Sequence, residues 1–354
     1  MSMVPFSIRR MWLLARGAFV NRDQPPFAQL AAIEDPERFI WAILPHAARS
    51  FAPSILLLPE NSARVAAVGY LYARMLDTCE DLSDSPLTSQ EALSSFAQRF
   101  ATDRPGPPPR APAPIDPDPR DRAHLMLIDR CGLVDEVYMQ LDRETRDRIA
   151  LLITSMASGM IEFSGVFEAQ DGVLRDEQQV LDYCHRVIGL PVLFVMELLL
   201  GDLSGEHHRD ALEVSELIQL ANITRDIEKD LLRGVAYHPA LEPHLGSGGA
   251  EAAADVAKAR RELMLLATRR SPSFRRLVDS ADLGWLSPAR AAAVMMMLFT
   301  DRHYRECAAA AGMETWSGPR RMPMMVFVSL PAAVVPWWAE RILLRVEKDL
   351  LSAA

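Results

Sequence analysis

Two short stretches of this 354-residue chain carry carboxylates at helical spacing where core residues would be expected. In Tyr70-Leu-Tyr-Ala-Arg74-Met-Leu-Asp77-Thr-Cys-Glu80-Asp81, positions 70, 74, 77 and 81 follow an i, i+4, i+7, i+11 pattern. A helix therefore puts one tyrosine, one arginine and two carboxylates on a single stripe. Asp77 and Asp81, one turn apart, repel each other by roughly a few tenths of a kcal/mol when exposed, and by more when buried. A magnesium ion relieves that repulsion, because it takes a few carboxylates and completes its shell with water and substrate phosphate oxygens. The plain alternative is a solvated acidic face running on through Asp84.

The second stretch, Gln219-Leu-Ala-Asn222-Ile-Thr-Arg225-Asp226-Ile-Glu-Lys-Asp230, repeats the arrangement. Asn222, Asp226 and Asp230 recur every four residues and project from one helical face, offering an amide oxygen and two carboxylates to a second metal cluster. Arg225 and Arg233 flank this cluster and Arg74 accompanies the first. Each site thus has guanidinium groups able to hold phosphate oxygens bidentately. Facing one another across a cavity, the stripes would clamp diphosphates and neutralise the charge on departing pyrophosphate.

Helices must position these stripes. Strand signals are sparse, and long segments rich in Ala, Leu, Met, Arg and Glu carry apolar residues at helical spacing, so the chain reads as all-α. Helices are expected over about 28–45, 60–82, 89–102, 121–138, 143–168, 176–201, 206–233, 251–270, 288–311 and 336–351. Thr88 with Glu91 reads as a capping box, and Ser287-Pro288 as a cap followed by proline in the first turn. Between 103 and 120, eight prolines from Pro105 to Pro119 leave only a surface loop or mobile insert. The chemistry draws on helices from both sides of that insert, so 1–354 reads as one domain.

A net charge of −9 and a pI near 5.5 argue against a polyanion-binding surface and hence against nucleic acid. Cys79, Cys131, Cys184 and Cys307 form no CxxC pair, so neither a zinc site nor a disulfide framework is suggested and a reducing, cytoplasmic setting fits. The apolar run Met11 to Ala15 among Arg9, Arg10 and Arg16 is too short for a signal peptide and reads as a mature N-terminus. The longest apolar stretch, Met322 to Ala339, is interrupted by Pro323, Pro331 and Pro336 and reads as core or loop-linked segments rather than a membrane span. Peripheral contact with a membrane is left open.

Four blocks of residues, in order, resemble the squalene and phytoene synthases, the head-to-head trans-isoprenyl diphosphate synthases. Arg49-Ser50-Phe51-Ala52 resembles the family's opening motif, which implies that Arg49 and Ser50 contact diphosphate and that Phe51 lines the cavity. The stretch from Tyr70 to Asp81 resembles the Y-L-x-x-R-x-L-D-T-x-E-D of squalene synthases, which adds Glu80 to the metal ligands and gives Tyr70 and Arg74 catalytic roles. Met156 to Phe163 and Tyr183-Cys-His185-Arg186-Val-Ile-Gly189-Leu form the third block, in which the family's catalytic tyrosine falls on Tyr183. Its ring would stabilise a cation, or its hydroxyl would pass a proton to departing pyrophosphate. Gln219 to Asp230 forms the fourth, with Gln219 among the substrate contacts. The resemblance implies a helical bundle of the isoprenoid synthase type with a central cavity, using Mg2+ on two prenyl diphosphates, as a monomer or weak homo-oligomer.

Three departures bear on the product. Lys229 replaces the acidic residue usual before the last aspartate, Arg186 stands where an aromatic residue is usual, and Val235 occupies a position that is arginine in many bacterial members. Squalene or a related triterpene from farnesyl diphosphate, and phytoene from geranylgeranyl diphosphate, both fit, and NADPH use is undecided. A class I terpene cyclase, whose second metal motif has the spacing of Asn222, Asp226 and Asp230, and a non-catalytic assembly protein of this fold are the alternatives.

Overall fold

A computed structural model describes residues 6–353 apart from 22, 49, 50, 84, 109, 115, 248–251 and 282. The described residues are 76% helical and contain no strand beyond one isolated parallel bridge between Val173 and Ala236. They divide into two compact units, Met1–Ile161 and Glu162–Ala354.

The first unit contains α1 (Phe6–Phe19), α2 (Phe27–Ala31), α3 (Pro36–Ala47), α4 (Phe51–Leu57), α5 (Glu60–Asp81), α6 (Pro86–Gln98), α7 (Pro119–Asp129), α8 (Cys131–Tyr138) and most of α9 (Arg143–Ala169). Three of its helices open on a side-chain cap followed by proline. Asp35 accepts from Arg38 N, Ser85 from Thr88 N, and Asp118 from Arg120 N and Asp121 N. Proline suits the position after a cap, since its fixed φ is helical and its missing N–H would be unpaired there anyway.

This punctuation corrects two expectations. The capping box is Ser85 with Thr88, not Thr88 with Glu91, so the helix expected from 89 begins at Pro86. The single helix expected over 28–45 is split, because Asp35 caps a new helix at Pro36. The 121–138 stretch also breaks at Arg130, whose guanidinium is drawn to the carbonyls of Ala31 and Ile33. No helix forms among the described residues between Arg99 and Pro119. Arg99 ties that proline-rich segment down, donating to Gly106 O and Pro107 O and pairing with Asp135 at 2.7 Å.

The second unit holds the end of α9, then α10 (Glu177–Cys184), a π-helical turn at His185–Gly189, α11 (Leu190–Leu200), α12 (Gly205–Leu232), α13 (Ala253–Thr268), α14 (Ser271–Ser280), α15 (Pro288–Ala310), α16 (Met322–Ser329) and α17 (Pro336–Ala353). Ser287 caps α15 as expected, accepting from Arg290 N. The helix expected over 176–201 is interrupted by the π turn, and α14 was not expected at all. Two helical stretches, Arg143–Ala169 and Glu177–Leu200, are apolar and long enough to cross a membrane by length and composition alone. α12 is the hub of the unit, bordered by α10, α11, α13, α14 and α15. All four cysteines are buried free thiols.

Candidate active site

The first stripe is set by how α5 is held. Tyr72 is fully buried, donates to Asp135 Oδ1 at 2.7 Å and meets Phe96, Phe100 and Tyr138 edge-on at 5.1–6.3 Å. Each such ring pair is worth about 0.5–1.5 kcal/mol beyond its burial. That anchoring fixes the rotation of the helix. From Val65 to Cys79 every residue is buried except Tyr70, Arg74 and Asp77. The stripe anticipated for chemistry is the face of this stretch left accessible.

On that stripe Arg74 donates to Tyr70 Oη at 2.9 Å, pairs with Asp77 at 3.2 Å and lies over the Tyr70 ring. Phe51 packs beside Tyr70, ring centroids 5.5 Å apart. The Arg74 Nε is buried with no hydrogen-bond partner among the described residues. Burial works against the Arg74 cation, but Tyr70, Asp77 and Asp81 outweigh it and hold its pKa above the ordinary value. Burial pushes the Asp77 carboxyl from its ordinary 3.8 up to about 6, with Arg74 opposing and Asp81 adding to the rise.

The second stripe lies on α12. Its inner face is buried from Val214 to Ala221 and again at Ile223, Thr224, Ile227 and Leu231. Tyr304 donates to Leu217 O at 2.6 Å, and Arg260 to Thr224 O at 2.8 Å and to Glu228 at 2.6 Å, so the helix is locked from α15 and α13. Asn222, Arg225, Asp226 and Asp230 are left half-buried, while Lys229 and Arg233 are exposed. Asn222 donates to Gln219 Oε1 at 3.1 Å. Arg225 takes both oxygens of Asp226 with its fork and lies 3.3 Å from His303 Nε2. Burial opposes the Arg225 cation, and the Asp226 pairing more than compensates.

Tyr183 is the last residue but one of α10, just ahead of the π turn, an irregularity frequent at functional sites. It sits among Phe163, Phe167 and Tyr237, with ring centroids 5.1–6.1 Å away, and accepts a hydrogen bond from Tyr237 Oη at 3.2 Å. Tyr237 is delivered by a crossing in which Ala236 N donates to Gly172 O at 2.8 Å and Leu174 N to Ala236 O at 3.0 Å. The next residue on from the π turn's start is spoken for as well: Arg186 pairs with Glu162 at 3.0 Å. His185, which opens the turn, meets the buried Glu216 at 2.7 Å, and Arg270 meets the other Glu216 oxygen at 2.6 Å. Sequence reasoning assigned no role to Phe167, His303, Glu216 or Arg270, because contacts spanning 16 to 78 positions leave no local spacing to read.

Within the first unit the structure brings together Phe51, Tyr70, Arg74 and Asp77, with Glu80 and Asp81 in the last turn of α5. Within the second it aligns Gln219, Asn222, Arg225, Asp226 and Asp230, with Arg233 at the C-cap of α12, and sets Tyr183 in its aromatic cluster. Arg49 and Ser50 lie outside the described residues. Among the described residues no three His, Cys, Asp or Glu side chains converge into a metal cage. The donor set nonetheless fits a magnesium ion completed by water and phosphate oxygens. Both acid motifs stand in the last two turns of their helices, where the backbone dipole disfavours carboxylates and a cation relieves them. The unpartnered Arg74 Nε is a donor ready for a phosphate oxygen.

The architecture is the all-α isoprenoid synthase fold. Two solved ligand complexes of TcSQS superpose with TM-scores of 0.67 and 0.65 at 18% and 19% identity, over 91% of this chain and 92% and 93% of those. A dehydrosqualene synthase in complex with ligand gives 0.50 at 16% identity, over 92% of this chain and 99% of that one. The chain belongs to the squalene/phytoene synthase family, whose profile matches residues 44–325. Among characterised sequences it is similar to a lycopaoctaene synthase of Botryococcus braunii, 30% identical over 207 residues, and to a squalene synthase, LSS, of the same organism, 28% identical over 200. Those matches cover 56% and 54% of this chain but only 43% and 40% of the relatives' own length.

Proposed function

We propose that the chain joins two allylic prenyl diphosphates head to head, with farnesyl diphosphate as substrate and a presqualene-diphosphate-type cyclopropane on the way to squalene or a related triterpene. The observation that carries this reading is the α5 stripe: a helix buried on its other faces leaves open a tyrosine, an arginine and a carboxylate that leads to Asp81. Such a face suits a diphosphate and its counter-ion. Asp77, Glu80 and Asp81, and Asn222, Asp226 and Asp230, would hold magnesium, which would supply the charge that makes pyrophosphate a leaving group.

The chain's own groups do the rest. Arg74 and Arg225, with Arg49, Ser50, Gln219 and Arg233, bind diphosphate oxygens. The C–O bond of one substrate breaks and its electron pair leaves with pyrophosphate. The double bond of the second substrate attacks the allylic cation, and loss of a proton closes the cyclopropane. The Tyr183 ring faces the cation, and its hydroxyl, oriented by Tyr237 Oη, receives or passes the proton. The apolar, mostly half-buried side chains of α11, which follows the Tyr183 turn, offer a surface to prenyl tails and exclude water. The protein acts in the cytoplasm with peripheral contact to a membrane.

Purified protein with Mg2+ and farnesyl diphosphate is expected to release pyrophosphate, and Asp77→Asn or Asp226→Asn to abolish release. Normal turnover in both variants would overturn the assignment of the two stripes. Product analysis with farnesyl and geranylgeranyl diphosphates, with and without NADPH, fixes chain length and reductant. A cyclic product from one substrate molecule would identify a terpene cyclase instead, and the absence of any release, an assembly protein.

A further inference from the structure

Outside the candidate site, the second unit displays a cluster of large apolar side chains that its own packing does not cover. Trp285, Phe327 and Trp337 are 75%, 73% and 60% exposed, and Leu286, Met324 and Val334 are at least half exposed. Scattered surface apolars are ordinary. These six are held together by specific bonds. Ser287 N donates to Ala333 O at 2.7 Å, and the buried Arg290 donates to Trp285 O and Ala332 O at 3.3 Å each and also to Gly284 O. Trp338 Nε1 donates to Val328 O at 2.9 Å, joining the start of α17 to the end of α16. The loop at 284–286, α16 and the first turn of α17 thus form one fixed edge. Met325, Val326, Ser329, Ala332 and Ala339 are its buried side.

We propose that this edge is a membrane-docking surface that seats the protein on a bilayer carrying anionic lipid. The rim supplies the charge argument. From 320 to 341 the sequence contains Arg320, Arg321 and Arg341 against a single acid, Glu340, in a chain whose net charge is −9. All three arginines are exposed. Basic residues beside exposed tryptophan and phenylalanine match the headgroup and acyl-boundary layers of an interface. The helical run Met322–Ala333 measures about 18–20 Å, short of the ~30 Å hydrocarbon core, so it lies along the surface rather than crossing it. This reading rests on the proposed function only in that prenyl substrates and hydrocarbon products reside in membranes.

The test is sedimentation of the full chain with vesicles of phosphatidylcholine alone, and of phosphatidylcholine with about a third phosphatidylglycerol. Wild type is expected to sediment with the anionic vesicles and much less with the neutral ones. Phe327→Ser with Trp337→Ser should lower the apparent partition constant at least about ten-fold, leaving helical content and pyrophosphate release in solution unchanged. Arg320→Ser with Arg321→Ser should erase the preference for anionic vesicles. As a check that does not burden folding, brominated lipid should quench wild-type tryptophan fluorescence, and Trp285→Phe with Trp337→Phe should remove most of the quenching while binding persists. No sedimentation of wild type, or unchanged binding of the Phe327→Ser/Trp337→Ser variant, would overturn the proposal. So would a change of solution mass in that variant with vesicle binding intact, which would make the edge a contact between copies. Vesicle binding without pyrophosphate release would sink the enzymatic reading and leave this surface standing.

Discussion

Replacing Asp77 by asparagine should stabilise the metal-free protein while removing its activity. In the fold the Asp77 carboxyl is shifted from 3.8 to about 6, so the folded chain binds more protons than the unfolded chain between those values. A carboxylate raised in this way favours folding below its unfolded pKa, and that contribution is lost as pH rises through the folded value. At pH 7 the ionised Asp77 therefore costs up to about 3 kcal/mol, and at pH 4.5 about 1 kcal/mol, from 1.36 kcal/mol per pKa unit. The side chain is 25% exposed, so these are ceilings and about 1–2 kcal/mol at pH 7 is the working expectation. Asparagine keeps the shape without the charge. Urea unfolding in EDTA should show Asp77→Asn more stable than wild type at pH 7, with the gap shrinking toward pH 4.5. Added Mg2+ should stabilise wild type by mass action and stabilise the variant less, because the variant keeps only the second acid stripe intact. A variant less stable than wild type in EDTA at pH 7, or a gap that ignores pH, would refute the reasoning.

Two further outcomes follow from the second unit. Gly172 has φ +86°, and a Cβ there would lie 2.2 Å from Gly234 O, so Gly172→Ala should destabilise by roughly 2–4 kcal/mol and, by displacing the crossing that delivers Tyr237, slow turnover; thermal unfolding and steady-state kinetics measure both. Burial works to raise the Glu216 carboxyl, but hydrogen bonds from His185 and Arg270 prevail and hold it below its ordinary 4.5. A depressed carboxylate adds stability above its unfolded pKa and loses it as pH falls through the folded one. Glu216→Gln should then cost roughly 2–4 kcal/mol at neutral pH, with the loss fading below pH 4.5, as unfolding at pH 7 and pH 4 would report.

The legibility of the site followed the reach of its contacts. Tyr70, Arg74 and Asp77 are neighbours on one helix, so their spacing alone announced the stripe, and the structure leaves that stripe open. Asn222, Asp226 and Asp230 were legible for the same reason. The Tyr183 environment was not. Phe163 and Phe167 come from α9 and Tyr237 from beyond α12, and the interruption at His185–Gly189 was passed over although Gly189 and Pro191 stand at its end. The boundary errors were local: at Ser85 the cap lay one motif earlier than expected, and proline at the following position marked the true start.

The amino-acid order by itself determined that the chain is helical, that two acid stripes exist, and that the prolines after Ser85 and Ser287 start helices. These depend on propensity, caps and the 3.6-residue period, all of which act over a turn or two. Tertiary structure decided which face of each helix stays open, through Tyr72 against Asp135 on one side and Tyr304 and Arg260 against α12 on the other. It also decided how the acid stripes are tuned, because burial raises Asp77 and the fork of Arg225 claims Asp226. Burial and long-range hydrogen bonds are properties of what surrounds a residue, and no spacing within one helix encodes them.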